Sequence, residues 1–306
     1  MIVACALALT AIAVRTPMAV NMRDLAALHA AAPSSGRAAL QRPGSGGTTV
    51  RDLGRGAAND PAALTLRGDA EWQLGRVDRA RASWTAAGDF RRLVEAGSYL
   101  AGQRKWDSAE AMYFATAKIP SSGATGLLDA AALRWNREDK KSAISIYEWL
   151  VLYRPADGGP LAFANLATLY AERGEFARAD SAIRRGLARW PRSVLLRTAE
   201  GVTYAKSGRT RQADATLTQV WSEDRKATDA CIWLALTKEQ EGDDGAAAAQ
   251  FRDCLSVNPA NAQWHYQYGL VLARLKRPAE ARQQFLLAAA FPAARDRLRE
   301  MDVPSR

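Results

Sequence analysis

Leu161–Pro191 of the chain reads LAFANLATLYAERGEFARADSAIRRGLARWP, and the spacing of its residues predicts a helical hairpin. Small and apolar residues recur at helical spacing on both sides of Gly174, so each half of the stretch predicts a helix with one apolar face. Gly174 suits a left-handed helix cap, and Pro191 cannot continue a helix and marks its exit. One such hairpin cannot bury its apolar face alone, so hairpins of this kind must stack.

The same pattern recurs along most of the chain at an interval of about 34 residues. Seven anchor alanines mark it: Ala80, Ala109, Ala143, Ala179, Ala213, Ala247 and Ala281. Twelve positions before each anchor stands Gly or Ala, and four positions after it stands a large apolar residue. We expect the small residue to meet the anchor and the large one to fill the groove beside this contact. The chain therefore predicts about seven stacked hairpins.

Helix-ending residues support the same register. Glycine stands five positions before the anchor in four repeats, at Gly75, Gly174, Gly208 and Gly242. Three departures are visible: the first interval, from Ala80 to Ala109, is shorter than the others, Glu138 replaces the glycine in the third repeat, and Arg225 replaces an exit proline in the fifth.

The quoted stretch resembles a tetratricopeptide repeat (TPR), and the resemblance extends over residues 61–292. The residues that carry it are Leu166, Ala167, Tyr170, Gly174, Phe176, Ala179 and Pro191. The resemblance implies an all-α fold, a right-handed superhelical solenoid of about seven TPR helix-turn-helix repeats. It also implies a non-catalytic scaffold that binds other proteins.

Composition excludes several other classes of protein. The 306 residues are 48% hydrophobic and 24% charged, which excludes whole-chain disorder and a multispan membrane protein. Only 2 His and 3 Cys are present, which argues against zinc ribbons, iron–sulfur proteins and disulfide scaffolds. Phosphate-binding loops and metalloprotease motifs are also missing from the sequence. We therefore predict no catalytic residue, no metal site and no cofactor, and we interpret His265 as a packing or surface residue.

The segments outside the repeats divide into three parts. Residues 1–20 contain the uncharged run Ile2–Val14, which is short for a spanning helix of about 20 residues. Three interpretations stay open: a membrane anchor, which is truncated if Met1 is not the natural start; a signal peptide, although the cleavage site is poor; and an apolar helix packed on the body. The arginines after this run favour a cytoplasmic location. Residues 21–60 predict a short helix and a flexible linker, and residues 293–306 a charged capping helix and tail.

The predicted binding site lies on the first helices of the hairpins, on the side that lines the concave groove in the resembled family. This face is apolar and has few charges, so we expect it to bind an apolar peptide or helix. The alternative is that its residues pack against neighbouring repeats. The candidate residues are Trp72, Leu128, Trp135, Ile232, Leu236 and Tyr266.

Cys231 and Cys254 have two possible states. They stand near the start of one helix and the end of its predicted partner, so a disulfide is geometrically possible if the domain is exported. The simpler interpretation is a reduced pair of small core residues.

These observations predict a non-catalytic scaffold that is membrane-associated or exported, and its Ala- and Arg-rich composition suggests a bacterial source. Two alternatives remain: an accessory or C-terminal TPR part of a membrane glycan-polymerising enzyme, and a nucleic-acid-binding helical array. The net charge of +10 is spread along the chain, and nucleic acid ranks lower because aromatic and basic residues do not interleave on one face. A stripe of arginines on one second helix predicts either a solvated face or a contact with anionic membrane: Arg178, Arg185, Arg189 and Arg192.

Overall fold

A computed structural model describes residues 60–302, apart from the side chain of Ser121. The predicted apolar segment at residues 1–20, the predicted short helix and nearly all of the linker at residues 21–60 lie outside the described residues, as do the residues after Asp302. Within the described range the regular elements are α-helices and one short 3-10 helix, Pro120–Ser122, with no strand. The predicted all-α class is confirmed.

Fifteen α-helices follow one another along this part of the chain. In order, they are α1 (Pro61–Gln73), α2 (Val77–Ala87), α3 (Phe90–Gly102), α4 (Trp106–Thr116), α5 (Thr125–Asn136), α6 (Lys140–Tyr153), α7 (Pro155–Glu172), α8 (Phe176–Arg189), α9 (Val194–Lys206), α10 (Thr210–Glu223), α11 (Thr228–Gln240), α12 (Asp244–Val257), α13 (Ala262–Arg274), α14 (Pro278–Leu287) and α15 (Pro292–Asp302). None of these helices combines the length and the apolar character that a membrane crossing requires.

The helices form two compact units that divide between Ala162 and Phe163. In the first unit, α1 pairs with α2, α3 with α4, and α5 with α6, and each hairpin packs on the next. In the second unit, α9 pairs with α10, α11 with α12, and α13 with α14, and α15 covers α14. Each unit is therefore a stack of helical hairpins.

The predicted register of the repeat is confirmed by burial. All seven anchor alanines are completely buried, and the large residues four positions after them are almost completely buried. The small residue twelve positions before the anchor lies against this large side chain. A Cβ atom added to Gly68 would lie 2.4 Å from Trp84, and one added to Gly201 would lie 2.6 Å from Leu217. Because glycine has no side chain, the first helix leaves space at this position for the ring or branched side chain of the second helix.

The turn between the two helices of a hairpin is the same in all seven repeats. The four predicted glycines have φ between 72° and 79°. The equivalent residues of the other three repeats, Arg104, Glu138 and Lys276, have φ of 60°, 64° and 57°. The left-handed turn is therefore imposed by the hairpin and not by the presence of glycine.

The two irregular intervals between anchors have simple structural causes. The short interval from Ala80 to Ala109 arises because α2 has only 11 residues and is joined to α3 by Gly88 and Asp89 alone. Asp89 caps α3 by accepting a hydrogen bond from the backbone N–H of Arg92 at 3.2 Å. The slightly long interval from Ala143 to Ala179 arises because α7 is broken at Gly159, where φ is 56°, so that the residues before this glycine form a separate turn.

Candidate interaction surfaces

In the first unit, two of the three predicted groove residues keep partial exposure. The ring of Trp72 is half-buried and lies 5.7 Å from that of Trp84 and 5.8 Å from that of Tyr99. Tyr99 is 58% exposed, so these rings form a small aromatic surface. Leu128 is also half-buried, whereas Trp135 is buried within its own unit.

In the second unit, the fold itself covers the predicted groove residues. Ile232, Leu236 and Tyr266 keep only 4–8% of their surface exposed. The ring of Tyr266 lies 5.1 Å from that of Phe291 and 5.9 Å from that of Phe285, which places it in the packing near the end of the array. Packing against neighbouring helices therefore accounts for these three residues and for Trp135. A binding role for the six residues stays a prediction, and Trp72 and Leu128 are the ones that present free surface.

A larger apolar surface lies elsewhere in the first unit, on α4 and α6. At the end of α6, Trp149, Leu152 and Tyr153 are 43%, 60% and 67% exposed, and the rings of Trp149 and Tyr153 are 5.8 Å apart. Beside them is a groove with a volume of about 350 Å³. Its lining residues are Phe114, Ala117, Leu127, Arg134, Ser142, Ser145, Ile146 and Trp149. We call the groove and the three exposed side chains the α4–α6 surface.

This surface was missed from the sequence, although a signal for it exists. The buried face of α6 carries Ala143, Tyr147 and Leu150, in helical phase with the anchor. Trp149 and Tyr153 are out of this phase, which places them on the outer face of the helix.

Charged groups around the α4–α6 surface are partly engaged in structural pairs. Arg134 binds the carboxylate of Glu110 and lies 5.7 Å from the centre of the Phe114 ring. Lys118 and Lys141 are exposed next to lining residues, and neither makes an ion pair within residues 60–302. The surface therefore has an apolar centre with free positive charge at its edge.

Asp129, on α5, is a buried acid that the sequence did not reveal. Its side chain makes no hydrogen bond or ion pair within the described residues. Burial raises the pKa of the Asp129 carboxyl to about 7. A carboxylate without a partner is costly in such a site, so this group takes up a proton on folding near neutral pH.

Cys231 and Cys254 form a disulfide, which corrects the simpler interpretation of a reduced pair. Their Cα atoms are 5.7 Å apart, and both residues are completely buried. They occupy facing positions of the first and second helices of one hairpin. Phe163 and Gly186 occupy the same two positions in the fourth repeat, where a Cβ atom on Gly186 would lie 3.1 Å from that of Phe163. The disulfide therefore replaces an ordinary packing contact of the hairpin.

The other polar residues considered from the sequence have structural partners. His265 is buried, with its two ring nitrogens 2.7 Å from Gln284 Oε1 and 2.9 Å from the carbonyl oxygen of Pro259. Arg178, in the predicted arginine stripe, lies over the ring of Tyr170 at 4.2 Å and pairs with Glu175 at 2.6 Å. Among residues 60–302 we find no group of three or more His, Cys, Asp or Glu side chains placed to hold a metal ion.

Comparison with known proteins identifies the repeat. A family model described as tetratricopeptide repeat matches residues 234–296. A TPR protein from Parabacteroides merdae superimposes with a TM-score of 0.61 at 16% sequence identity, over 78% of this chain and 97% of that one. A TPR protein from Thermus thermophilus gives a TM-score of 0.53 at 19% identity, over 60% of this chain and 99% of that one.

A third structure, the Cut9–Hcn1 hetero-tetramer of the APC/C, gives a TM-score of 0.57 at 17% identity and covers 83% of this chain and 48% of that one. No curated protein matches the chain in sequence. These likenesses show the fold, and the family match falls on the hairpins whose register the burial confirms. The chain therefore has the tetratricopeptide repeat fold, and its residues 234–296 match the tetratricopeptide repeat family.

Proposed function

We propose that the protein is a non-catalytic scaffold for protein–protein interaction, held at a membrane by its N-terminal segment, with the repeats on the oxidising side. The repeat fold supports a scaffold in general. The observation that carries the finer proposal is the buried disulfide between Cys231 and Cys254.

A buried disulfide supports export because protein disulfides form and persist in oxidising compartments, whereas cytosolic thiols are kept reduced. The arginines that follow Ile2–Val14 favour the opposite orientation, so the two signals conflict. We give the disulfide more weight, because a bond enclosed in the core of a hairpin has to form while the hairpin folds, in the compartment where it folds.

Selective labelling of thiols tests this proposal. Cells that express the full chain would be lysed in acid and alkylated without reductant, and the protein mass would then be measured. We expect a single labelled thiol, that of Cys5, and three after reduction. Three labelled thiols without reductant would contradict export. The variant Cys231→Ala/Cys254→Ala is the control, since reductant should not change its labelling.

Membrane association is tested separately by fractionation. We expect the full chain in the membrane fraction, resistant to extraction by salt and released by detergent, and accessible to protease added from the oxidising side. Recovery in the soluble fraction would contradict the tether and leave the result on the disulfide standing.

For the bound partner, we propose an apolar peptide or helix that contacts the first helices around Trp72. Support comes from the exposed edge of Tyr99 beside the half-buried Trp72 ring. A photo-crosslinking amino acid at position 99 should capture a discrete partner, and Trp72→Ala should abolish the product. The matched control is the same amino acid at position 257, where the side chain is 44% exposed on a second helix. Equal capture at both positions would contradict this site.

A further inference from the structure

The α4–α6 surface has the chemistry of a membrane-contacting surface. Its most exposed side chains lie at the end of one helix, at Trp149, Leu152 and Tyr153. Because they project from this helix, they can enter a lipid layer without any rearrangement of the helices. Trp and Tyr are the side chains enriched at the boundary between lipid headgroups and hydrocarbon, because their rings are apolar and their polar atoms remain hydrated.

The charges at its edge fit an anionic lipid surface. Lys118 and Lys141 are exposed, and neither has an ion-pair partner among residues 60–302. Glu148, the acidic residue on this part of α6, is half-buried and already engaged with another group. Basic side chains next to a membrane are attracted by anionic headgroups, each by about 1 kcal/mol near the surface.

The length of chain before the repeats also favours lipid as the occupant. The apolar run ends at Val14, and residues 15–59 separate it from the first described residue. If this stretch behaves as its composition predicts, its average reach is roughly 35–40 Å. A chain anchored through residues 1–20 would thus keep the repeats within a few tens of ångströms of the bilayer, at a high effective concentration.

We propose that the α4–α6 surface is a second membrane contact, at which Trp149, Leu152 and Tyr153 insert into the interfacial layer of an anionic bilayer. The inference rests on the proposed tether. It adds an orientation, in which the outer face of α6 lies on the lipid.

Quenching of tryptophan fluorescence by brominated lipid tests the contact with the full chain. The protein would be reconstituted in vesicles of phosphatidylcholine and phosphatidylglycerol with ordinary or brominated acyl chains. The emission of Trp149 is the difference between the wild type and Trp149→Phe. We expect brominated chains to reduce this difference roughly twofold or more, since an interfacial ring lies within reach of the acyl bromines. An unchanged difference would overturn the proposal.

Two variants make the result specific. Trp190→Phe reports a half-buried tryptophan of the second unit, and its difference should not respond to brominated lipid; an equal response would mean general collision and would overturn the proposal. Leu152→Asp/Tyr153→Asp changes only exposed residues, so the melting temperature should be retained while the quenching of Trp149 is lost. Quenching that survives this variant would also overturn the proposal.

Other occupants give different outcomes. Protection of Trp149 that rises with the protein-to-lipid ratio, together with cross-linked dimers lost in the double variant, would assign the surface to a second copy of the chain. Protection that requires an added protein would assign it to a partner helix. Either result would overturn the lipid contact. If the chain does not float with vesicles at all, the tether and the contact fail together, whereas flotation with unquenched Trp149 removes only the contact.

Discussion

Each helical hairpin depends on the backbone conformation of one residue in its turn. Five positions before each anchor alanine, the chain takes the left-handed conformation even where the residue is Arg104, Glu138 or Lys276. In the third repeat, for example, the N–H of Glu138 donates to the carbonyl of Trp135 at 2.9 Å, and that of Asp139 to the carbonyl of Arg134 at 2.9 Å. These bonds satisfy the end of the first helix, and a residue with a side chain incurs a conformational penalty of about 1–2 kcal/mol at this position.

Replacing one of these residues by glycine should therefore stabilise the protein. Arg104 is exposed, and its side chain makes no hydrogen bond or ion pair among residues 60–302. Arg104→Gly should raise the free energy of unfolding by about 0.5–1 kcal/mol. This is less than the full conformational penalty, because glycine also increases the conformational entropy of the unfolded chain. Urea unfolding followed by circular dichroism measures this.

The reverse change is the matched control. Gly208→Ala should lower stability by about 1 kcal/mol, because a side chain is strained at the positive φ of this glycine although the space around it is open. A stabilising effect of both changes would contradict this explanation.

Asp129 is a second residue that by itself affects the stability of the protein, in this case through its titration. Its pKa is raised by burial to about 7, above the usual value of about 4 in an unfolded chain. The folded protein therefore binds a proton that the unfolded chain releases between these two pH values. The contribution of this group to stability should be highest below about pH 4, fall as the pH rises to about 7, and stay level above it.

The variant Asp129→Asn should remove this slope. At pH 8 it should be more stable than the wild type by a few kcal/mol at most, since one pKa unit corresponds to about 1.4 kcal/mol. Thermal unfolding at several pH values between 4 and 8 measures the difference. Parallel pH profiles for the wild type and the variant would show that Asp129 is not the group responsible.

At the level of helices and hairpins, close approach of the two helices is the main requirement. Ala179 is completely buried on α8, whereas Ala177 is exposed on the same helix. Successive hairpins are also joined by ion pairs, that of Glu110 on α4 with Arg134 on α5 and that of Asp214 on α10 with Lys238 on α11. Such partly exposed pairs contribute about 0–1 kcal/mol, so packing has the larger share.

A bulky residue at the anchor should disrupt its hairpin. Ala179→Phe should destabilise the protein by about 3 kcal/mol or more, because the close helix contact cannot accept a ring without backbone shifts. Ala188→Phe introduces the same side chain at an exposed position of the same helix and should change stability by less than about 0.5 kcal/mol. Equal unfolding midpoints for the two variants would contradict the register of the repeat.

The disulfide is a second stabilising element of a hairpin. It closes a loop between positions with a sequence separation of 23, for which loop entropy predicts a contribution of about 3 kcal/mol. The variant Cys231→Ala/Cys254→Ala should therefore unfold at lower denaturant concentration than the oxidised protein. Reductant should lower the stability of the wild type and leave that of the variant unchanged. A wild type insensitive to reductant would indicate that the bond is not formed.

Over the whole molecule, a stack of hairpins leaves an apolar face at each end that has to be covered. At the C-terminal end of the second unit, α15 packs on α14 and buries Ala294. Its other residues are mostly charged, and Arg297 pairs with Glu300 at 2.9 Å. A helix with one small apolar contact and a polar outer face is what a terminal cap requires.

Truncation should show the value of this cap. A chain that ends at Phe291 should lose about 1–3 kcal/mol of unfolding free energy and aggregate more readily, because the face of α14 becomes exposed. A chain that ends at Asp302 keeps α15 and is the control. If the shorter chain were as stable and as soluble as the control, α15 would not act as a cap.

Much of this architecture follows from short-range spacing alone. The all-α class, the repeat interval and the small and large positions could be predicted, because each depends on which residues lie three or four positions apart on one helix. The left-handed turns were predictable at the four glycines but not at Arg104 and Lys276. At these two positions the hairpin imposes the left-handed conformation, and arginine and lysine are not residue types that indicate it.

Exposure depends on what the next hairpin covers, and spacing within one helix does not contain that information. For this reason Trp135 and Tyr266 were predicted to line a binding face and are buried, whereas the exposure of Trp149 was not predicted. The same holds for the buried Asp129 and for the bond between Cys231 and Cys254. Burial and cross-linking join residues that are distant in the chain, so three-dimensional packing was needed to establish them.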